Sequence, residues 1–122
     1  MLYVFPAQTF AMATLDYERP YEDPIAASAG ELLRPDFSQT TDYLGWTWCA
    51  DPRGRSGWTP TAWCEPVGEA IWRLQRDFSA LELTVRKGDR VALLYGESGF
   101  VYCEATDARR GWLPDAVLVL EP

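Results

Sequence analysis

Histidine is absent from the 122-residue chain, lysine occurs once, at Lys87, and no apolar run approaches the ~20 residues that a membrane-spanning helix needs. Without imidazole, every His-containing metal site, catalytic dyad and triad is excluded. The three cysteines, Cys49, Cys64 and Cys103, form no Cys-x-x-Cys pair. Their odd number prevents a complete internal disulfide framework, so reduced thiols are expected. Acid pairs such as Glu22 and Asp23 are the only remaining handle for catalysis. The chain is therefore expected to be non-enzymatic, with no catalytic residue, no metal ligand and no cofactor. The opening stretch from Met1 to Phe10 is apolar, but it has no basic flank and is interrupted by Pro6 and Gln8. It does not resemble a secretory signal, and a cytoplasmic location is expected.

Aromatic and acidic residues are abundant instead. Apolar residues make up 48% and aromatics 14%, with six Trp, enough for packed cores and too much for disorder. The net charge of −7 disfavours nucleic acid and anionic membranes as partners and favours a basic one. Acids outnumber bases by 9 to 4 over residues 1–66 and by 9 to 7 over residues 67–122, so that preference is stronger in the first half.

One phrase occurs twice. Gly45-Trp46-Thr47-Trp48-Cys49 followed by Gly57-Trp58-Thr59-Pro60 returns 54 residues later as Gly99-Phe100-Val101-Tyr102-Cys103 followed by Gly111-Trp112-Leu113-Pro114. Short strand-like runs dominate around these phrases, among them Phe10 to Tyr17, Ile71 to Phe78 and Leu83 to Val85, and no window sustains a helical period. Residues 51–56 and 106–110 are expected as hairpin loops, and Thr61-Ala62-Trp63 and Asp115-Ala116-Val117 as tight helical turns before a last strand. The division implied is 1–66, with an N-terminal extension over 1–9, and 67–122. Residues 64–69, punctuated by Pro66 and Gly68, would be the junction. Units this small are marginal alone and are expected to pack on one another.

The order and spacing of these motifs resemble the Src homology 3 (SH3) family, in particular its bacterial tandem variants. Glu82-Leu83-Thr84-Val85-Arg86-Lys87-Gly88-Asp89 is similar to the family's ELSFKKGD stretch, and Gly111-Trp112-Leu113-Pro114 to its GLFP. Repeat one carries Leu15-Asp16-Tyr17, like the end of ALYDY, then Pro24-Ile25, Gly30-Glu31 and Gly57 to Trp63. The step from Tyr17 to Ile25 is eight residues, whereas Phe78 to Leu83 is five, so the RT loop of repeat two is three shorter. Gly30 to Gly45 exceeds Gly88 to Gly99 by four, which lengthens the n-Src loop of repeat one. The resemblance implies an all-β fold of two small five-stranded barrels in tandem.

It also implies a groove for extended, proline-containing or basic peptides, formed in repeat one by Tyr17, Trp46, Pro60 and Trp63 with the acids Glu18, Glu22 and Asp23. A polyproline II segment loses little entropy on docking, and its ridges fit slots between aromatic rings. An acid beside the slots receives a ligand Arg or Lys. Repeat two departs from this pattern, with Phe100 and Val117 at groove positions and its RT loop cut to Ser79-Ala80-Leu81, so it is expected to be structural support. Trp58 and Trp112, present in both repeats, are expected to be packing residues. The cysteines are expected as small buried hydrophobes. Leu2, Tyr3, Val4 and Phe5 are too apolar to dangle in water and are expected to cover something, the groove included. The alternative is a structural or assembly protein whose aromatic groove is buried between domains or subunits, which leaves room for a homo-oligomer.

Overall fold

A computed structural model describes residues 2–122, and the chain is all-β. Met1, included in the N-terminal extension, lies outside the described residues. The strands are short: β1 (Tyr3–Val4), β2 (Phe10–Ala13), β3 (Ala26–Ala27), β4 (Leu32–Pro35), β5 (Trp46–Ala50), β6 (Ser56–Pro60) and β7 (Cys64–Gly68). They continue as β8 (Ile71–Leu74), β9 (Phe78–Ser79), β10 (Arg90–Glu97), β11 (Phe100–Ala105), β12 (Arg110–Pro114) and β13 (Leu118–Leu120). Single 3-10 turns at Thr61–Trp63 and Asp115–Val117 precede β7 and β13, where tight turns were expected. Among the described residues no helix is long and apolar enough to cross a membrane.

The chain divides into two compact units, but not at residue 66. Unit 1 comprises Met1–Glu22 with Glu82–Pro122, and unit 2 is the intervening Asp23–Leu81. The segment 64–69, expected as a junction, is instead part of a hairpin inside unit 2. Strand β7 pairs antiparallel with β8, Gly68 opposite Ile71, across a loop of only Glu69 and Ala70, and Ala70 takes the positive φ of 51° that such a turn demands. A two-residue link makes this pairing cheap in loop-closure entropy, so β8 finds β7 before any more distant partner.

The two sheets correspond strand for strand. Unit 1 runs β12-β11-β10-β2-β13, with β1 also on β10, and unit 2 runs β6-β5-β4-β8-β7. The slot that β2 fills between β10 and β13 is filled in unit 2 by β8, between β4 and β7. Each repeat therefore gives its first strand to the sheet built from the other repeat. Matching backbone bonds fix the equivalence: Gly88 N–H donates to Ala13 O (2.8 Å) as Gly30 N–H does to Leu74 O (2.6 Å). Likewise Thr14 N–H donates to Val117 O as Gln75 N–H does to Trp63 O, both at 2.8 Å. Hydrogen-bonded pairing does not close either sheet into a barrel: β12 and β13 are the ends of one, β6 and β7 of the other.

Strand alternation builds each core. In β11, Val101 and Cys103 point inward between the half-buried Phe100, Tyr102 and Glu104. They join Ala11, Ala13, Leu83, Val85 and Leu113 in the core of unit 1, with Phe5 packed against it. Unit 2 buries Ile25, Leu33, Cys49, Thr59 and Leu74. Residues 83–85, expected as a strand, pair only at isolated points, through the Tyr17–Val85 bridge and Leu83 N–H donating to Trp112 O (3.0 Å), while the Leu83 and Val85 side chains lie in the core. The connection between β4 and β5 is long, residues 36–45, whereas β10 and β11 are joined by the tight turn of Ser98 and Gly99.

Candidate functional site

Unit 2 assembles most of the aromatic residues expected of a groove. Trp46 on β5 lies opposite Pro60 on β6, and the end of that hairpin is held by Thr61 N–H donating to Gly45 O (2.8 Å) and by a hydroxyl bond between Thr47 and Thr61 (2.7 Å). The 3-10 turn that follows brings Trp63 round to Phe78. The Phe78 ring meets Trp63 edge-on, 5.6 Å between centroids and 86° between planes, and lies 6.5 Å from Trp46. Arg76 stacks its guanidinium 4.8 Å from the Trp63 ring centroid. This cluster is largely closed: Trp63 is 4% exposed, Phe78 is buried and Pro60 is fully buried, while Trp46 is half-buried.

Tyr17, placed in this groove by the motif order, lies in unit 1. It pairs with Val85, and its hydroxyl donates to the Glu82 carboxylate. Burial pushes the Glu82 carboxyl up, and the Tyr17 hydroxyl partly offsets that shift. Of the seven candidate groove residues, Asp23, Trp46, Pro60 and Trp63 are in unit 2, whereas Tyr17, Glu18 and Glu22 are in unit 1. The aromatic that joins Trp46 and Trp63 is Phe78. Its signal was the dipeptide Asp77-Phe78, which matches Asp16-Tyr17, and each Asp does the same work. Asp16 accepts from Lys87 N–H and Asp77 from Ala29 N–H, both at 2.8 Å. The acids are exposed, and two have arginine partners within their own units, Glu22 with Arg19 and Asp23 with Arg55, both at 3.6 Å.

A second polar centre of unit 2 is Asp51, whose side chain is wholly enclosed. Its carboxylate accepts backbone N–H bonds from Arg53 (2.8 Å), Arg55 (3.1 Å) and Ala26 (3.3 Å), and the Arg55 Nε at 3.3 Å. Burial opposes the charge, but these donors outweigh it and hold the carboxyl below its usual range. Arg53 also forms a two-pronged bond to Glu31, at 2.9 and 3.0 Å, and with the Ser28 N–H it lowers the Glu31 carboxyl to about 2. The β5–β6 hairpin is thereby tied to the Pro24–Glu31 segment.

Trp58 and Trp112 are packing residues, each directly opposite an aromatic on the neighbouring strand. Trp48 meets Trp58 at 5.1 Å and Tyr102 meets Trp112 at 5.3 Å, with Tyr95 stacked on Tyr102 at 5.0 Å. The N-terminal segment covers unit 1: Tyr3 and Val4 pair with Gly96 and Tyr95, and Phe5 N–H donates to Leu94 O. All three thiols are free. Burial pushes Cys49 and Cys103 up to about 12 and the half-buried Cys64 to about 11, as small core hydrophobes would behave. Among the described residues no group of three or more Cys, Asp or Glu is placed to hold a metal ion. No family model matches the chain, and neither a curated protein nor a solved structure matches it.

Proposed function

We propose that the chain is a non-catalytic structural or assembly protein of SH3-like build, with two small barrel-like modules that exchange first strands. In it the aromatic groove of the SH3 family is used for internal packing. The observation that carries this is the closure of the groove: Trp63 at 4% exposure beneath Phe78 and Arg76, with Pro60 fully buried. A slot that admits a proline ridge needs open aromatic walls, and here those walls already contact one another. The acidic charge of the chain turns it toward protein rather than nucleic acid, and a cytoplasmic location fits the reduced thiols.

Capture of a proline-containing or basic segment is favoured by Trp46 alone among the groove aromatics. It is half-exposed and follows Leu44, 89% exposed, with Glu18, Glu22 and Asp23 also exposed. Titration with proline-arginine peptides, followed through the indole N–H signals of Trp46 and Trp63, separates the two functions. Internal packing predicts that both signals stay in place at millimolar peptide. Saturable shifts of both would establish peptide capture and refute it, with affinity in the micromolar range, about −8 kcal/mol at 1 μM.

A further inference from the structure

The two exchanged strands enter equivalent slots, yet the residues at their crossings are not equivalent. In unit 1, Tyr17 stands opposite Val85 and bonds through its hydroxyl to Glu82, three residues earlier on the same segment. In unit 2, Phe78 stands opposite Ala27, and the position of Glu82 is taken by the buried Pro24. A phenol with a carboxylate fills one unit, and a phenyl ring with a proline fills the other. If each strand returned to its own repeat, Tyr17 would face the position of Pro24, and Phe78 would face the half-buried Glu82. A hydroxyl and an acid would both lose their bond, which is costlier than never having had one.

Chain length acts in the same sense. The β7–β8 link is two residues, Glu69 and Ala70, and a direct return of β8 to β13 would have to abandon that hairpin. The link from Phe78 to Leu83 is five residues where that from Tyr17 to Ile25 is eight, and short hinges drive strand exchange.

We propose that the exchange is a specified conformational choice: the short links exclude the sequential pairing, and the Tyr17–Glu82 match selects the exchanged one wherever the links permit both. The chain thereby carries its own pairing code at residues 17, 24, 78 and 82.

Three introduced cysteines report the choice. Ala26 lies opposite Ser79 in the exchanged form, and Glu18 is the residue equivalent to Ser79 in the sequential form. A chain carrying Glu18→Cys, Ala26→Cys and Ser79→Cys is refolded, oxidised at neutral pH and mapped by peptide mass spectrometry. The native thiols, Cys64 pushed to about 11 and Cys49 and Cys103 to about 12, stay protonated and unreactive under these conditions. In this parent, the disulfide joins positions 26 and 79. Lengthening the Glu69-Ala70 link by eight Gly/Ser residues leaves that product dominant, because Tyr17 still finds Glu82. Adding Tyr17→Phe and Phe78→Tyr to the lengthened chain moves the hydroxyl to the other strand, and a disulfide between positions 18 and 26 becomes the main product. The ratio of the two disulfides then changes by about tenfold or more, the worth of a hydrogen bond to a charged group. Should the double replacement not fold, Tyr17→Phe alone in the lengthened chain keeps the ring and still shifts the ratio about tenfold. An unchanged ratio in whichever of these variants folds would overturn the proposal, as would a lengthened parent that already joins positions 18 and 26.

Discussion

Enclosing the carboxylate of Asp51 removes it from water, and three backbone N–H groups with the Arg55 guanidinium replace the lost hydration. Asp51→Asn would turn an amide N–H against those donors or leave some of them unpaired. It is expected to lower stability by about 3 kcal/mol in urea unfolding at pH 7. The pH dependence follows from the direction of the shifts. Asp51 and Glu31 have folded values below their ordinary 3.8 and 4.5, so their stabilisation is complete above those ordinary values and is lost as pH falls through the lowered ones, which for Glu31 is about 2. Glu82 runs the other way: its value is raised on folding, so protonation favours the folded state as pH falls through that raised value. The urea midpoint should therefore decline from about pH 5 to about pH 2 in the native chain and decline less in Asp51→Asn. The thiols give a separate check. With Cys49 and Cys103 near 12, a disulfide reagent at pH 8 should leave both unreacted until urea is added, and fast reaction of either would contradict their placement.

Among the elements, β6 shows how closely the strands approach. A Cβ on Gly57 would come 2.9 Å from Ile25 Cγ2 and 3.3 Å from the Ala80 Cβ. Gly57→Ala should therefore cost about 1–3 kcal/mol through overpacking, read as a lowered urea midpoint with unchanged slope. Most strands were legible in the sequence, because period-two alternation and Gly-Pro punctuation are local signals. Cys49 and Cys103 point inward as their alternation required, and both helical turns fall where the Gly-Trp-x-Pro phrases end. Leu83 to Val85 was apolar enough for a strand but is bridged only at isolated points, since it runs beside a crossing rather than along a partner. The groove was legible in part: Trp46, Pro60 and Trp63 are together, but their companion is Phe78, not Tyr17. Alternation tells which face a residue presents and nothing about which of two like strands supplies the neighbour. Asp16-Tyr17 and Asp77-Phe78 are too similar for motif order alone to choose between them.

At the scale of the molecule, the repeat seen in the sequence is not the unit that folds. Residues 23–81 are contiguous and contain a complete strand order, whereas 67–122 would keep β8 and lack the β2 that belongs between β10 and β13. A fragment spanning 23–81 should give dispersed NMR spectra and cooperative unfolding, and fragments 1–66 and 67–122 should each remain unfolded as monomers. The signal for this was the brevity of the Gly68–Ile71 connection, which as a domain junction would be a linker and as a hairpin is a two-residue turn. The most direct measurement of the exchange is the set of cross-strand NOEs in the intact chain. Strand exchange predicts contacts of Leu33 with Trp72 and of Ala11 with Val91. Contacts of Ala11 with Leu33 and of Trp72 with Val91 would contradict it.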